Sequence, residues 1–140
     1  MQIQRIQSLL LLVAAILVGL FCITPFAEVM GPEGGMPLDI YPREIPSLLI
    51  LNALIAVLLF LIIFMFKNLK LQKRMTVLSI LLLCVSVVTS GFIMYAKMDN
   101  TSPILYGGVS LLLLAVVFAV LALKFINRDH QLLHSYDRLR

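Results

Sequence analysis

Lys67-Asn68-Leu69-Lys70-Leu71-Gln72-Lys73-Arg74 holds four of the chain's eleven Lys and Arg residues in eight positions, with no Asp or Glu among them. A charge-free segment lies on each side, Ser47 to Phe66 before it and Met75 to Ala96 after it. Twenty helical residues at about 1.5 Å each span about 30 Å, the hydrocarbon thickness of a bilayer. The octet therefore reads as a basic inner loop, residues 67–74, between two transmembrane helices at 47–66 and 75–96.

Composition supports lipid as the solvent. Of 140 residues, 61% are hydrophobic and 13% charged, where a soluble domain carries roughly a quarter charged residues. The length suits a single domain. The formal net charge is +4, but the basic residues sit at the ends of apolar segments. That placement fits anionic lipid headgroups better than a groove that tracks nucleic-acid phosphates.

Two more spans complete the pattern. Residues 8–27 form the first; its apolar run is longer than the 7–15 residues of a signal-peptide core. Residues 104–123 form the fourth, with Pro103 at a position that tolerates proline. Residues 28–46 are an outer loop whose Gly and Pro residues exclude a regular helix. Residues 97–103 make an outer turn, and 124–140 a tail. The expected fold is thus an all-α, four-transmembrane-helix bundle with both termini on the inner side. The inner segments hold Arg5, Lys67, Lys70, Lys73, Arg74, Lys124, Arg128, Arg138 and Arg140, against Arg43 and Lys97 outside, a clear positive-inside bias. Tyr41, Tyr95 and Tyr106 then fall at the outer interface, where aromatic belts form.

Within these four spans there is no Asp, Glu, Lys, Arg or His. Ion-coupled transporters and proton pumps usually need such a group in the membrane. No HExxH, GxSxG or phosphate-loop pattern occurs. Cys22 and Cys84 form no CxxC pair and read as small packing residues. The sequence therefore points to no catalytic set, no cofactor, no metal centre and no small-molecule substrate. The strongly polar side chain inside a span is Asn52 on helix two, and helix three carries a stripe of Thr76, Ser79, Ser86 and Ser90. With Leu83, the latter step by three and four, so they share one face. Small residues at Ala15, Gly19 and Cys22 on helix one, and at Gly108, Ala115, Ala119 and Ala122 on helix four, read as seams that let helices approach closely.

In the tail, Phe125, Ile126, Leu132, Leu133, Tyr136 and Leu139 share a helical face, with His130, His134 and Asp137 opposite. This reads as a C-terminal amphipathic helix on the inner leaflet or against a partner. His130 and His134 have metal-ligand spacing, but no third strong ligand is fixed nearby.

Gln4-Arg5-Ile6-Gln7-Ser8 leading into a Leu-rich helix, and the terminal Asp137-Arg138-Leu139-Arg140, resemble the end motifs of a family of small four-helix bacterial inner-membrane proteins of unknown function. The resemblance covers nearly the whole chain; His134-Ser135-Tyr136 departs from the small residues usual before that ending. It implies an inner-membrane location and no enzymatic activity. Together these readings point to an accessory or scaffold subunit of a larger cell-envelope complex, of the kind that serves protein export or envelope assembly. The alternative is a small oligomeric transporter or channel using Asn52 and the helix-three stripe. Arg5, Gln7, Lys70, Lys73, Arg74, Asp137, Arg138 and Arg140 are the expected lipid or partner contacts. Reporter fusions test the orientation: alkaline phosphatase is expected to be inactive when fused after Arg140 and active in the Gly34-Gly35 loop, and the reverse result inverts the topology.

Overall fold

The computed structural model describes residues 2–29, 36, 38–65, 67–96, 104–105 and 107–137, and among these the side chains of 2–5, 29, 104–105 and 133–137 are left undescribed. Four helices carry the chain: α1 (Gln2–Ile23), α2 (Pro46–Phe64), α3 (Leu69–Ala96) and α4 (Gly107–Asp137). All four are long and apolar enough to cross a membrane, so the chain is a multi-pass membrane protein. α1 packs on α2 and α4, and α3 packs on the same two, which closes the helices into a ring.

Each helix buries one narrow line of side chains. On α1 it is Gln7, Leu11, Ala14, Val18 and Phe21; on α2, Leu48, Asn52, Ile55, Leu59 and Ile62. On α3 it is Gln72, Thr76, Ser79, Leu83, Ser86, Ser90 and Met94. On α4, Gly108 is followed by Leu112, Ala115, Ala119, Ala122 and Ile126. Apart from a second step of four at the end of α3, from Ser90 to Met94, the steps alternate between three and four, a repeat of 3.5 residues, which is the rhythm of left-handed helix packing. The most apolar stretch of every span is 28% buried, the share that two seam positions in seven provide. The remaining apolar surface, Val57, Phe60, Val88 and Leu113 among it, faces outward, as lipid allows.

The seams differ in size. α1 and α2 contribute Leu, Ile, Val and Phe, whereas α3 contributes hydroxyls and α4 mainly alanine. Bulky knobs thus face shallow surfaces across the ring, which fills the interior without strain. The expected α4 seam is the buried one. The expected α1 seam is not: Ala15, Gly19 and Cys22 are half-buried, and the buried line runs one residue away. Because α4 already supplies the small side chains, α1 turns its larger ones inward.

One end of the bundle carries structure that the sequence reading gives to loops and to the start of helix four. β1 (Ala27–Val29), β2 (Leu38–Ile40) and β3 (Ile104–Leu105) form a three-stranded antiparallel sheet in the order β2-β1-β3. Glu28 pairs with Asp39 on one side and Ile104 on the other. A 3-10 turn at Pro42–Glu44 leads into α2, and Arg43 lies 4.5 Å from the centroid of the Tyr41 ring. α4 consequently begins at Gly107, not at residue 104. Its start is tight: a Cβ on Gly108 would lie 2.5 Å from the Pro25 carbonyl oxygen and 2.8 Å from the Phe26 Cα.

At the other end the basic octet is not a loop. Among the described residues, the turn before Leu69 is held by Met65 N–H to the Ile62 carbonyl at 3.1 Å and Asn68 N–H to the Met65 carbonyl at 3.1 Å. From Leu69 onward the basic residues form the first turns of α3, because Leu, Lys, Gln and Arg are good helix formers and no Gly or Pro intervenes. The tail as far as Asp137 is helical and continuous with the fourth span, since the sequence after residue 123 offers no helix breaker to end it. The outer turn at 97–103, Tyr106, and most of the Gly/Pro-rich part of the outer loop lie outside the described residues.

Gly108→Ala is expected to lower the melting temperature in detergent clearly, since overpacking against backbone costs about 1–3 kcal/mol. Gly19→Ala, whose added methyl meets nothing within 4 Å, is expected to leave it unchanged or raise it. Equal behaviour of the two variants would refute the close approach at the start of α4.

Candidate functional site at the basic end

α2 has 19 residues, α3 has 28 and α4 has 31. At about 1.5 Å per residue, α2 matches the hydrocarbon thickness, while α3 and α4 exceed it by about 12–16 Å. Lys70, Lys73 and Arg74 lie in the first turns of α3, and Lys124 and Arg128 on α4, beside the chain turn with Lys67. Together they form a cationic rim at one end of the bundle.

Inside that rim the seams end in polar side chains. Gln7 is 2% exposed, and its Nε2 donates to Asp129 Oδ2 at 2.5 Å, tying the start of α1 to the extension of α4. Gln72 is buried too; its Nε2 donates to the Ile62 carbonyl at 3.5 Å, and its Oε1 has no hydrogen-bond partner. Asp129 and Gln72 are missed by a reading based on apolar spans. The signal is nevertheless present: continuing the three-four rhythm past Ile126 reaches Asp129, and back from Thr76 it reaches Gln72. Asp129 is a carboxylate that meets the N-terminal motif, at Gln7. The side chains of Arg5 and Asp137, and all of Arg138 and Arg140, lie outside the described residues, as does the His134 side chain.

Deeper in the bundle, the structure brings Asn52 and Ser86 together. Ser86 Oγ donates to Asn52 Oδ1 at 2.8 Å, and Asn52 Nδ2 donates to the Leu48 carbonyl at 2.8 Å. The other hydroxyls of the stripe bond back to their own helix: Thr76 to the Gln72 carbonyl, Ser79 to Thr76, Ser90 to Val87, each at 2.8 Å. Such local bonds satisfy a buried hydroxyl without binding anything else. Ser79 and Ser90 therefore line the seam as small, self-satisfied residues, whereas Asn52 and Ser86 bridge α2 and α3.

Two grooves open on the outside of the rim. One lies between α3 and α4, lined by Lys70, Lys73, Arg74, Val77 and His130. The other runs along α4 and includes Lys124, Phe125 and Arg128. In the first, Lys70 stands three residues from Lys73 and four from Arg74, so like charges are stacked on one helical face. Each such pair costs a few tenths of a kcal/mol in isolation. They also sit in the first turns of α3, where the backbone dipole disfavours cations and no acidic residue compensates. Fold stability does not explain this arrangement; an anion in the groove would offset the repulsion. Among the described residues no group of three His, Cys, Asp or Glu side chains gathers in metal-binding geometry.

A family model described as a domain of unknown function, DUF4293, matches residues 3–139. No curated protein and no solved structure matches the chain.

The Asn52–Ser86 bond is open to a double-mutant cycle. Asn52→Ala, Ser86→Ala and the double variant, unfolded reversibly in mixed micelles, are expected to give a coupling energy of about 0.6–2 kcal/mol. Additive single effects would mean the pair contributes no specific bond.

Proposed function

The chain belongs to the DUF4293 family, and on that premise we propose that it is a non-enzymatic accessory or scaffold subunit of a larger cell-envelope complex in the bacterial inner membrane, with both termini cytoplasmic. The observation that carries this reading is the use made of Asn52. It is the one amide in the middle of the spans, and both ends of its side chain are engaged, one by Ser86 and one by the Leu48 carbonyl. A substrate contact needs a polar group left available; here that group holds two helices together. What the protein offers to its surroundings is the cationic rim at one end, together with the terminal motifs; Gln7, expected as a lipid or partner contact, is instead buried against Asp129. Protein export or envelope assembly is the kind of process such a subunit would serve. Nine basic residues in the inner segments against two outside support the orientation.

A small oligomeric transporter or channel is the second reading. It draws on the Gln72 Oε1 atom, buried without a partner at the head of the α3 hydroxyl stripe. A conduit would supply that acceptor with water.

Gentle solubilisation from native membranes separates the two readings. Larger membrane subunits are expected to co-purify in fixed stoichiometry, and Asp137→Ala with Arg138→Ala is expected to weaken that association while insertion stays intact. Isolation of the wild-type chain only as a homo-oligomer would overturn the accessory role in favour of the second reading.

A further inference from the structure

We infer that the groove between α3 and α4 at the basic end is a binding site for the phosphate headgroup of an anionic phospholipid. Lys70, Lys73 and Arg74 are exposed and occupy one face of α3, and His130 of α4 forms the opposite wall. Among the described residues, no acidic side chain lines the groove. The nearest acidic neighbour in sequence, Asp129, directs its carboxylate to Gln7 of α1, away from the α3 side of α4.

The face continues in a way that selects a lipid over a free anion. Stepping by three and four from Lys70 and Arg74 leads to Val77, Leu81, Cys84 and Val88, all of them exposed. Val77 lines the groove itself, and Leu81 and Val88 stand 58% and 69% exposed. The stripe is therefore amphiphilic along its length: cations at one end, aliphatic side chains along the rest. A phosphodiester at Lys73 and Arg74 would place an acyl chain along Val77 and Leu81, within the hydrocarbon region where α3 crosses it. Arg presents a fork of donors that matches phosphate oxygens in pairs, and Lys adds point charge. Basic hollows between transmembrane helices are a recurring form of lipid headgroup recognition. Inorganic phosphate shares the headgroup chemistry but gains nothing from the aliphatic stripe. The site belongs to the single chain, so it does not depend on a partner complex.

The test uses the purified full chain in a nonionic detergent, with binding read by native mass spectrometry. Three probes are compared: dimyristoyl phosphatidylglycerol, dimyristoyl phosphatidylcholine and inorganic phosphate. The phosphatidylglycerol is expected to bind at least tenfold tighter than either of the others. Lys70→Gln, Lys73→Gln and Arg74→Gln combined are expected to abolish that preference, and Lys124→Gln with Arg128→Gln to preserve it. All three α3 side chains are exposed, so the combined variant is expected to stay folded. Single Lys70→Gln and Arg74→Gln variants, each with about fivefold weaker binding, carry the same test if it does not. Equal affinity for phosphatidylcholine, inorganic phosphate as tight as the lipid, or undiminished binding by the α3 variants would each overturn the assignment.

Discussion

Lipid gives helices no hydrophobic reason to associate, because acyl chains solvate leucine as well as another helix does. The bundle must therefore be held by close packing and by hydrogen bonds, and its seams are built accordingly. The large side chains of α1 and α2 meet hydroxyls on α3 and alanines on α4, so dispersion contacts form on both sides of every knob. Asn52 and Ser86 add the directional element. An amide left unpaired in hydrocarbon costs several kcal/mol, so α2 and α3 are held to the register in which Ser86 reaches Asn52 Oδ1. A polar residue on an otherwise apolar seam commonly has this role in helix bundles.

The two ends of the bundle solve opposite problems. At the sheet end, backbone leaves the helices close to the apolar layer, and its polar groups need partners. Pairing among β1, β2 and β3 supplies them, with Phe26 N–H adding a 3.0 Å bond to the Ile40 carbonyl. At the basic end the helices themselves continue, so their backbone stays satisfied without a sheet. The polar groups there are side chains, and they divide by position: Gln7, Gln72 and Asp129 lie on the inner seam, and the lysines and arginines lie on the outer faces.

Much of this is legible in the sequence because two signals are strong. Four charge-free segments of membrane length fix the number of helices, and the spacing of Thr76, Ser79, Leu83, Ser86 and Ser90 gives the buried face of α3. What the sequence conceals has physical causes. Small residues alone do not orient a helix: Ala15 and Gly19 on α1 have the right size and spacing, but the complementary shape of α4 decides which face turns inward. Charges do not end a helix either. Lys70 to Arg74 and Lys124 to Arg128 are chemically fit for both loop and helix, and the absence of Gly and Pro settles the matter. The short strands are the least visible, since three residues such as Ala27-Glu28-Val29 carry no periodicity, and their pairing depends on segments far apart in the chain. Within the candidate site, Lys70, Lys73 and Arg74 stand out in the sequence, but the groove needs His130 from α4, which only the folded ring brings opposite.

The central position of β1 has a consequence for the order in which the chain can be completed during synthesis. Glu28 finds Asp39 eleven residues on, but its second neighbour, Ile104, lies seventy-six residues on. The first hairpin of helices can therefore insert with one edge of β1 already paired and the other still open. That edge waits through the synthesis of α2 and α3 and closes only when the segment before α4 arrives. Seating Gly108 against Pro25 and Phe26 belongs to the same late step, as does the packing of α4 on α1. The middle strand thus records whether the last helix has been delivered. A chain that lacks its last helix leaves that edge of β1 without its β3 partner, exposing backbone donors and acceptors that the complete fold pairs.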